Sequence, residues 1–182
     1  MHSSNIKNIF AISGSLRAGS SNHNILHFLA KLAPAGVNFT IYDSLAQVPA
    51  FDPGLDHESP QEAVAELRSF INHADAVIIC TPEYAFGVPG ALKNAIDWTV
   101  PSSSLVDKPM ALITASTSGQ NAHDALLLIL GAVSANLLKD TTLLIPFIRA
   151  KMDGEGNIID EETAGSLRLL FNSLLTHLQN SR

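Results

Sequence analysis

Short apolar runs recur along this chain, each followed by a stretch whose apolar residues return every three or four positions. Ile9–Ile12 reads as a buried strand, the Val-Ile-Ile of Ala74–Cys80 as a central strand of a parallel sheet, and Pro109–Thr114 as a further strand. Asn38–Asp43 alternates and reads as another strand, and Thr141–Ile148 as the last. Between them, Ile25, Leu26, Phe28, Leu29 and Leu32 mark a helix over Asn22–Leu32, and Val64, Leu67, Phe70 and Ile71 mark one over Gln61–His73. Further helices are expected at Ala91–Trp98, Ala122–Leu138 and Glu161–Gln179, and a long Pro/Asp/Gly-bearing loop runs up to Pro60. Five strand–helix alternations predict an open parallel sheet with helices on both faces.

Composition narrows this to one domain. At 182 residues and 46% hydrophobic content, residues 1–182 support a single sizeable core with no room for a second domain. The net charge of −6, with no basic block, argues against nucleic acid and anionic membranes as partners. The single cysteine, Cys80, has no disulfide partner within the chain and follows an apolar strand, which suits a buried thiol. No apolar run reaches membrane-spanning length and the N-terminus shows no apolar leader, so the expected location is cytoplasmic.

Candidate chemistry sits at the strand ends. In such a sheet, ligands bind outside the carboxyl ends of the strands, which selects the loops 13–22, 81–90 and 114–121. The first, Ser-Gly-Ser-Leu-Arg-Ala-Gly-Ser-Ser-Asn, has small residues, the hydroxyls of Ser15, Ser20 and Ser21, a forked cation in Arg17, and a helix starting at Asn22. These are the parts of an anion cradle. It lacks the Gly-Lys-Ser/Thr ending of a triphosphate loop and the G-x-G-x-x-G of a dinucleotide fold, so a single phosphomonoester suits it. An ordinary strand-to-helix turn is the plain alternative. The second loop carries Tyr84 and Phe86, and the third is small and polar. Together they suit a flat heteroaromatic mononucleotide, with flavin mononucleotide (FMN) the obvious member.

Gly14-Ser15-Leu16-Arg17 with Ser20 and Asn22, then Pro82-Glu83-Tyr84, then Pro89-Gly90-Ala91-Leu92-Lys93-Asn94-Ala95-Ile96-Asp97-Trp98, resemble the NAD(P)H-dependent FMN reductase family over nearly the whole chain. The resemblance implies a flavodoxin-like three-layer sandwich, a five-stranded parallel sheet in the order 2-1-3-4-5. It implies FMN as cofactor, NADPH or NADH as cosubstrate, and a small acceptor: a quinone, an azo or nitro compound, a metal oxyanion such as chromate, or free flavin. Ser15, Arg17, Ser20, Ser21 and Asn22 would hold the phosphate. Pro82, Glu83, Tyr84, Ala85 and Phe86 would adjoin the ring, and Ser116, Thr117 and Gly119 would close its other side. No catalytic side chain is expected, because the flavin carries the chemistry. Ala85 and Gly87 depart from the family, which commonly has Asn and Ser there, and remove an amide and a hydroxyl. A flavodoxin-type electron carrier and a flavin-free relative are the competing readings.

Ala125–Val133 is apolar all round, more than a sheet-covering helix needs. The surplus face predicts a homodimer or homotetramer, unless the C-terminal helix covers it. His23 and His27 share a helix face at i, i+4 but lack a third ligand, so no metal site is expected. Lys93 and Asp97 suit a surface ion pair. Glu83 is expected in an ion pair or at an interface, and Trp98 in packing.

Overall fold

The computed structural model describes residues 6–56 and 60–180. Met1–Asn5 of the expected leaderless N-terminus and residues 57–59 of the long loop lie outside the described residues. Five strands, β1 (Lys7–Ser13), β2 (Val37–Tyr42), β3 (Ala76–Thr81), β4 (Pro109–Ala115) and β5 (Asn136–Ile145), alternate with α1 (Ser21–Leu32), α2 (Glu62–His73), α3 (Gly90–Asp97), α4 (Gln120–Ala132) and α5 (Glu161–Asn180). Every strand pair is parallel, in the order β2-β1-β3-β4-β5. The flavodoxin-like sandwich expected from the resemblance is the architecture observed.

The two-residue period of the strands divides the core into two layers. Phe10, Ile12, Val77, Ile79, Met110 and Leu112 pack with α2, α3 and α4 on one face. Ile9, Ala11, Ile78, Cys80, Ala111 and Ile113 pack with α1 and α5 on the other. Cys80 is fully buried, and burial pushes its thiol pKa upward, so it is unreactive as a nucleophile. The pair Lys93–Asp97 forms at 2.6 Å along α3.

One pair of boundaries differs from the sequence reading. The helix expected to reach Leu138 ends at Ala132, and the strand expected over Thr141–Ile148 runs Asn136–Ile145. Ser134 takes a left-handed φ of 55°, and the Ala135 amide donates to the Leu130 carbonyl, a Schellman closure in which serine stands where glycine is usual. Leu137 and Leu138, which look helical in sequence, therefore belong to the strand, Leu137 opposite Met110. A register irregularity between Met110 and Leu112 accommodates the longer strand.

The conspicuous Pro89–Trp98 block serves the fold. Asn94 Nδ2 donates to the carbonyls of Val48 and Pro49, and its Oδ1 accepts from the Phe51 amide at 2.7 Å. Trp98, completely buried, donates from Nε1 to Pro49 O, and Arg68 donates twice to Trp98 O while pairing with Asp56. These bonds satisfy the backbone of a loop too long to satisfy itself.

The strand ends that bear the ligand loops meet at Gly14. Its amide donates to Cys80 O at 2.8 Å, and a Cβ there would collide with the Thr81 side chain and reach 3.1 Å from Leu92 Cδ2. Gly14→Ala is expected to lower unfolding stability by about 1–3 kcal/mol, measured by chemical denaturation.

Candidate functional site

The loops after β1, β3, β4 and β5 enclose an open cleft of about 400 Å³, within the range of roughly 300–1,000 Å³ typical of small-molecule sites. Ser15, Arg17, Ser20, Ser21 and Asn22 line it from the first loop, Pro82, Glu83 and Tyr84 from the second, and Ser116 and Thr117 from the third. Of the expected site residues, Ala85, Phe86 and Gly119 do not line it. Ala85 and Phe86 form the tip of the second loop, Phe86 pointing largely into solvent. Gly119 caps α4 at φ 94° with Leu144 and Thr114 close behind it.

The first loop is shaped by its own hydroxyls. Ser13 Oγ accepts from the Ser15 amide, Ser15 Oγ from the Arg17 amide, and Ser20 Oγ from the His23 amide as the N-cap of α1. The Ser21 and Asn22 amides, in the first turn of α1, have no intramolecular acceptor among the described residues. Arg17 is exposed and makes no ion pair among them. Free amides, a free guanidinium and a helix N-terminus form an anion cradle. The Asn22 side chain is not part of it: Nδ2 donates to Ala115 O at 3.2 Å and Oδ1 accepts from the Cys80 thiol at 3.4 Å. Asn22 thus ties the cradle to β3 and β4 and contributes to the cleft through its backbone.

Glu83 plays a structural part that its sequence position conceals. The N-cap of α4 is a glycine with no side chain to offer, and Glu83 Oε2 accepts from the Ala122 amide at 2.9 Å in its place. The Glu83 amide donates in turn to Ser116 Oγ at 3.2 Å, so the second and third loops are bound together at two points. His123, one residue further along α4, is buried beside Thr114 Oγ1 at 2.9 Å, and burial lowers its pKa, favouring the neutral ring.

The tip Tyr84-Ala85-Phe86-Gly87 is a tight hairpin, closed by Tyr84 N–H to Gly87 O and Gly87 N–H to Tyr84 O at 3.0 and 2.9 Å. Both central residues are left-handed, Ala85 at φ 47° and Phe86 at φ 58°, in the turn class that favours Asn-Gly. The missing Asn at position 85 therefore bears on backbone strain at the tip.

Sequence reasoning overlooked a fourth wall. Phe147, Ile148, Arg149 and Ala150 line the cleft because β5 stops at Ile145, three residues before its expected end. The apolar run Leu143–Ile148 concealed this turn, and Pro146 was the available signal. The rings of His23 and His27 lie 4.7 Å apart, tilted by 55°, and among the described residues no three His, Cys, Asp or Glu are grouped to hold a metal.

Comparison with known proteins gives the family of the chain. The model of the NADPH-dependent FMN reductases matches residues 7–149. The chain belongs to that family. It is 35% identical to the quinone reductase of Escherichia coli (strain K12) over 166 residues, covering 87% of this chain and 88% of the relative. It is 31% identical to the 2-hydroxy-1,4-benzoquinone reductase of Burkholderia sp, covering 96% and 97%. The solved structure of FerB, a flavoenzyme NAD(P)H:(acceptor) oxidoreductase from Paracoccus denitrificans, matches with a TM-score of 0.82 at 29% identity, covering 96% and 98%. This chain is accordingly an NAD(P)H-dependent oxidoreductase with FMN as cofactor, which displaces the carrier and flavin-free readings. The chemistry of the cleft, free amides and Arg17 beside Tyr84 and a small polar third loop, is compatible with a phosphate-bearing flat ring such as FMN.

Ala85→Asn is expected to raise unfolding stability by about 0.5–1 kcal/mol by relieving the tip, checked by thermal and chemical denaturation.

Proposed function

We propose that this reductase transfers reducing equivalents from NADPH or NADH to a quinone, with Ser15–Asn22 holding the flavin phosphate and loops 81–84 and 115–117 holding the ring. The observation that carries this reading is one cleft in which Arg17 and the unpaired Ser21 and Asn22 amides stand beside Tyr84, Ser116 and Thr117, while Glu83, its one carboxylate, is engaged by the Ala122 amide. The names of the Escherichia coli and Burkholderia relatives favour a quinone over azo, nitro, chromate or free-flavin acceptors. The hydride and electron-transfer chemistry between nicotinamide and acceptor would be supplied by FMN held in this cleft. The chain's own residues supply placement. Arg17 and the Ser21 and Asn22 amides anchor the anionic end. The Glu83–Ser116 bond fixes the spacing of the two ring-bearing loops, and the Thr117 amide, without an intramolecular acceptor among the described residues, is available to the polar edge of the ring.

We also propose a cytoplasmic homodimer or homotetramer. Among the described residues, no helix is long and apolar enough to cross a membrane. The C-terminal helix does not cover α4, because α5 packs with α1, β4 and β5 on the opposite face of the sheet. Leu127 and Leu128 of α4 stay exposed, Leu128 at 77%, and a second copy is the simplest cover.

Purified protein loaded with FMN is expected to lose its visible flavin absorbance on anaerobic addition of NADPH or NADH and to regain it with benzoquinone. Failure to regain it would remove quinones from the proposal. Arg17→Ala is expected to weaken FMN binding by about 1.5–3 kcal/mol in fluorescence titration. Leu128→Glu is expected to lower the mass measured by light scattering while leaving FMN bound.

A further inference from the structure

The fourth wall of the cleft carries a cation that none of the roles above uses. Arg149 lies in the 3₁₀ turn Ile148–Lys151, lines the cleft, and has no hydrogen-bond or ion-pair partner among the described residues. Its neighbour Lys151 is spent: Nζ reaches Asp160 Oδ2 at 3.4 Å and Thr163 Oγ1 at 3.1 Å. The cleft of a chain with net charge −6 is thus lined by two arginines, Arg17 and Arg149, without an ion-pair or hydrogen-bond partner for their side chains among the described residues, while its one carboxylate is bonded to the first turn of α4.

The backbone places Arg149 there at a cost. Phe147, which opens the turn, sits at φ 54° and ψ 35°, a left-handed conformation costly for an aromatic residue. It is held by hydrogen bonds from the Phe147 amide to Thr117 O and from the Ile148 amide to Ser116 O, both 3.2 Å. The adjoining Ala115 carbonyl accepts from Asn22 in the first turn of α1. A short chain of bonds therefore fixes the Arg149 turn relative to the anion cradle.

Charge indicates what this is for. A phosphomonoester carries about −1.5 to −2 near neutral pH. One guanidinium plus the roughly half charge of a helix N-terminus leaves part of it uncompensated. We propose that Arg149 is a second cation for the flavin phosphate, acting from the β5 loop together with Arg17. This rests on the reading of Ser15–Asn22 as the phosphate cradle.

The test compares FMN with riboflavin, which lacks the phosphate, in fluorescence titrations of apoprotein from the wild type, Arg149→Ala, Arg149→Lys and Arg17→Ala at low and high salt. Arg149→Ala is expected to raise the FMN Kd roughly tenfold or more while leaving riboflavin binding unchanged. Arg149→Lys is expected to recover part of the loss, and the alanine variant to show a shallower salt dependence for FMN than the wild type. An unchanged FMN Kd in Arg149→Ala, or equal losses for both flavins, would overturn the proposal. Unchanged FMN binding with a selective fall in kcat/KM for NADPH relative to NADH would also overturn it, and would reassign Arg149 to the phosphomonoester of the cosubstrate. Wild-type protein that binds FMN no tighter than riboflavin, with Arg17→Ala also without effect, would bring down the phosphate cradle itself.

Discussion

The ligand cleft depends on the close approach of two strand ends. Parallel strands carry their loops off in the same direction, and β1 and β3, neighbours in the sheet, reach their carboxyl ends together. Gly14 makes the contact possible: its amide bonds Cys80 O, and its missing side chain leaves the space that Thr81 fills. With the loops brought this close, Ser15 Oγ lies 3.5 Å from the Tyr84 hydroxyl, and one cleft spans what would otherwise be two separate turns.

Around that contact, many polar side chains in the recognisable motifs hold the site's walls in place rather than face a ligand. Asn22 binds β3 and β4 to the cradle, Glu83 caps a helix that begins with glycine, and Asn94 secures the loop from Val48 to Phe51. Buried polar groups are costly unless paired, so each is placed where a backbone group lacks a partner. This division suits a flavin enzyme. The cofactor supplies the reactive atoms, and the protein's contribution is precise spacing of backbone donors and cations.

Three of the six left-handed non-glycine residues among the described residues lie at the same rim. Ala85 and Phe86 at the second loop and Phe147 at the fourth hold left-handed backbones without glycine. Such conformations persist where surrounding bonds over-determine them. Here those are the paired hydrogen bonds of the Tyr84–Gly87 hairpin and the links from Phe147 and Ile148 to the third loop.

The local pattern of the chain determined the five strand–helix alternations, the apolar faces, the buried Cys80 and the hydroxyl- and guanidinium-bearing composition of the first loop, because periodicity and side-chain type are encoded residue by residue. Ten expected residues from three loops line one cleft for the same reason: a parallel sheet sends those loops to one edge. The end of α4 was not legible, because Leu137 and Leu138 suit a helix as well as a strand and the break comes from a left-handed serine. Nor could spacing reveal that Glu83 caps α4, 39 residues away, or that Arg149 joins Arg17 in the cleft. Those pairings exist only once the sheet brings distant segments within hydrogen-bond reach, so they were decided by tertiary structure.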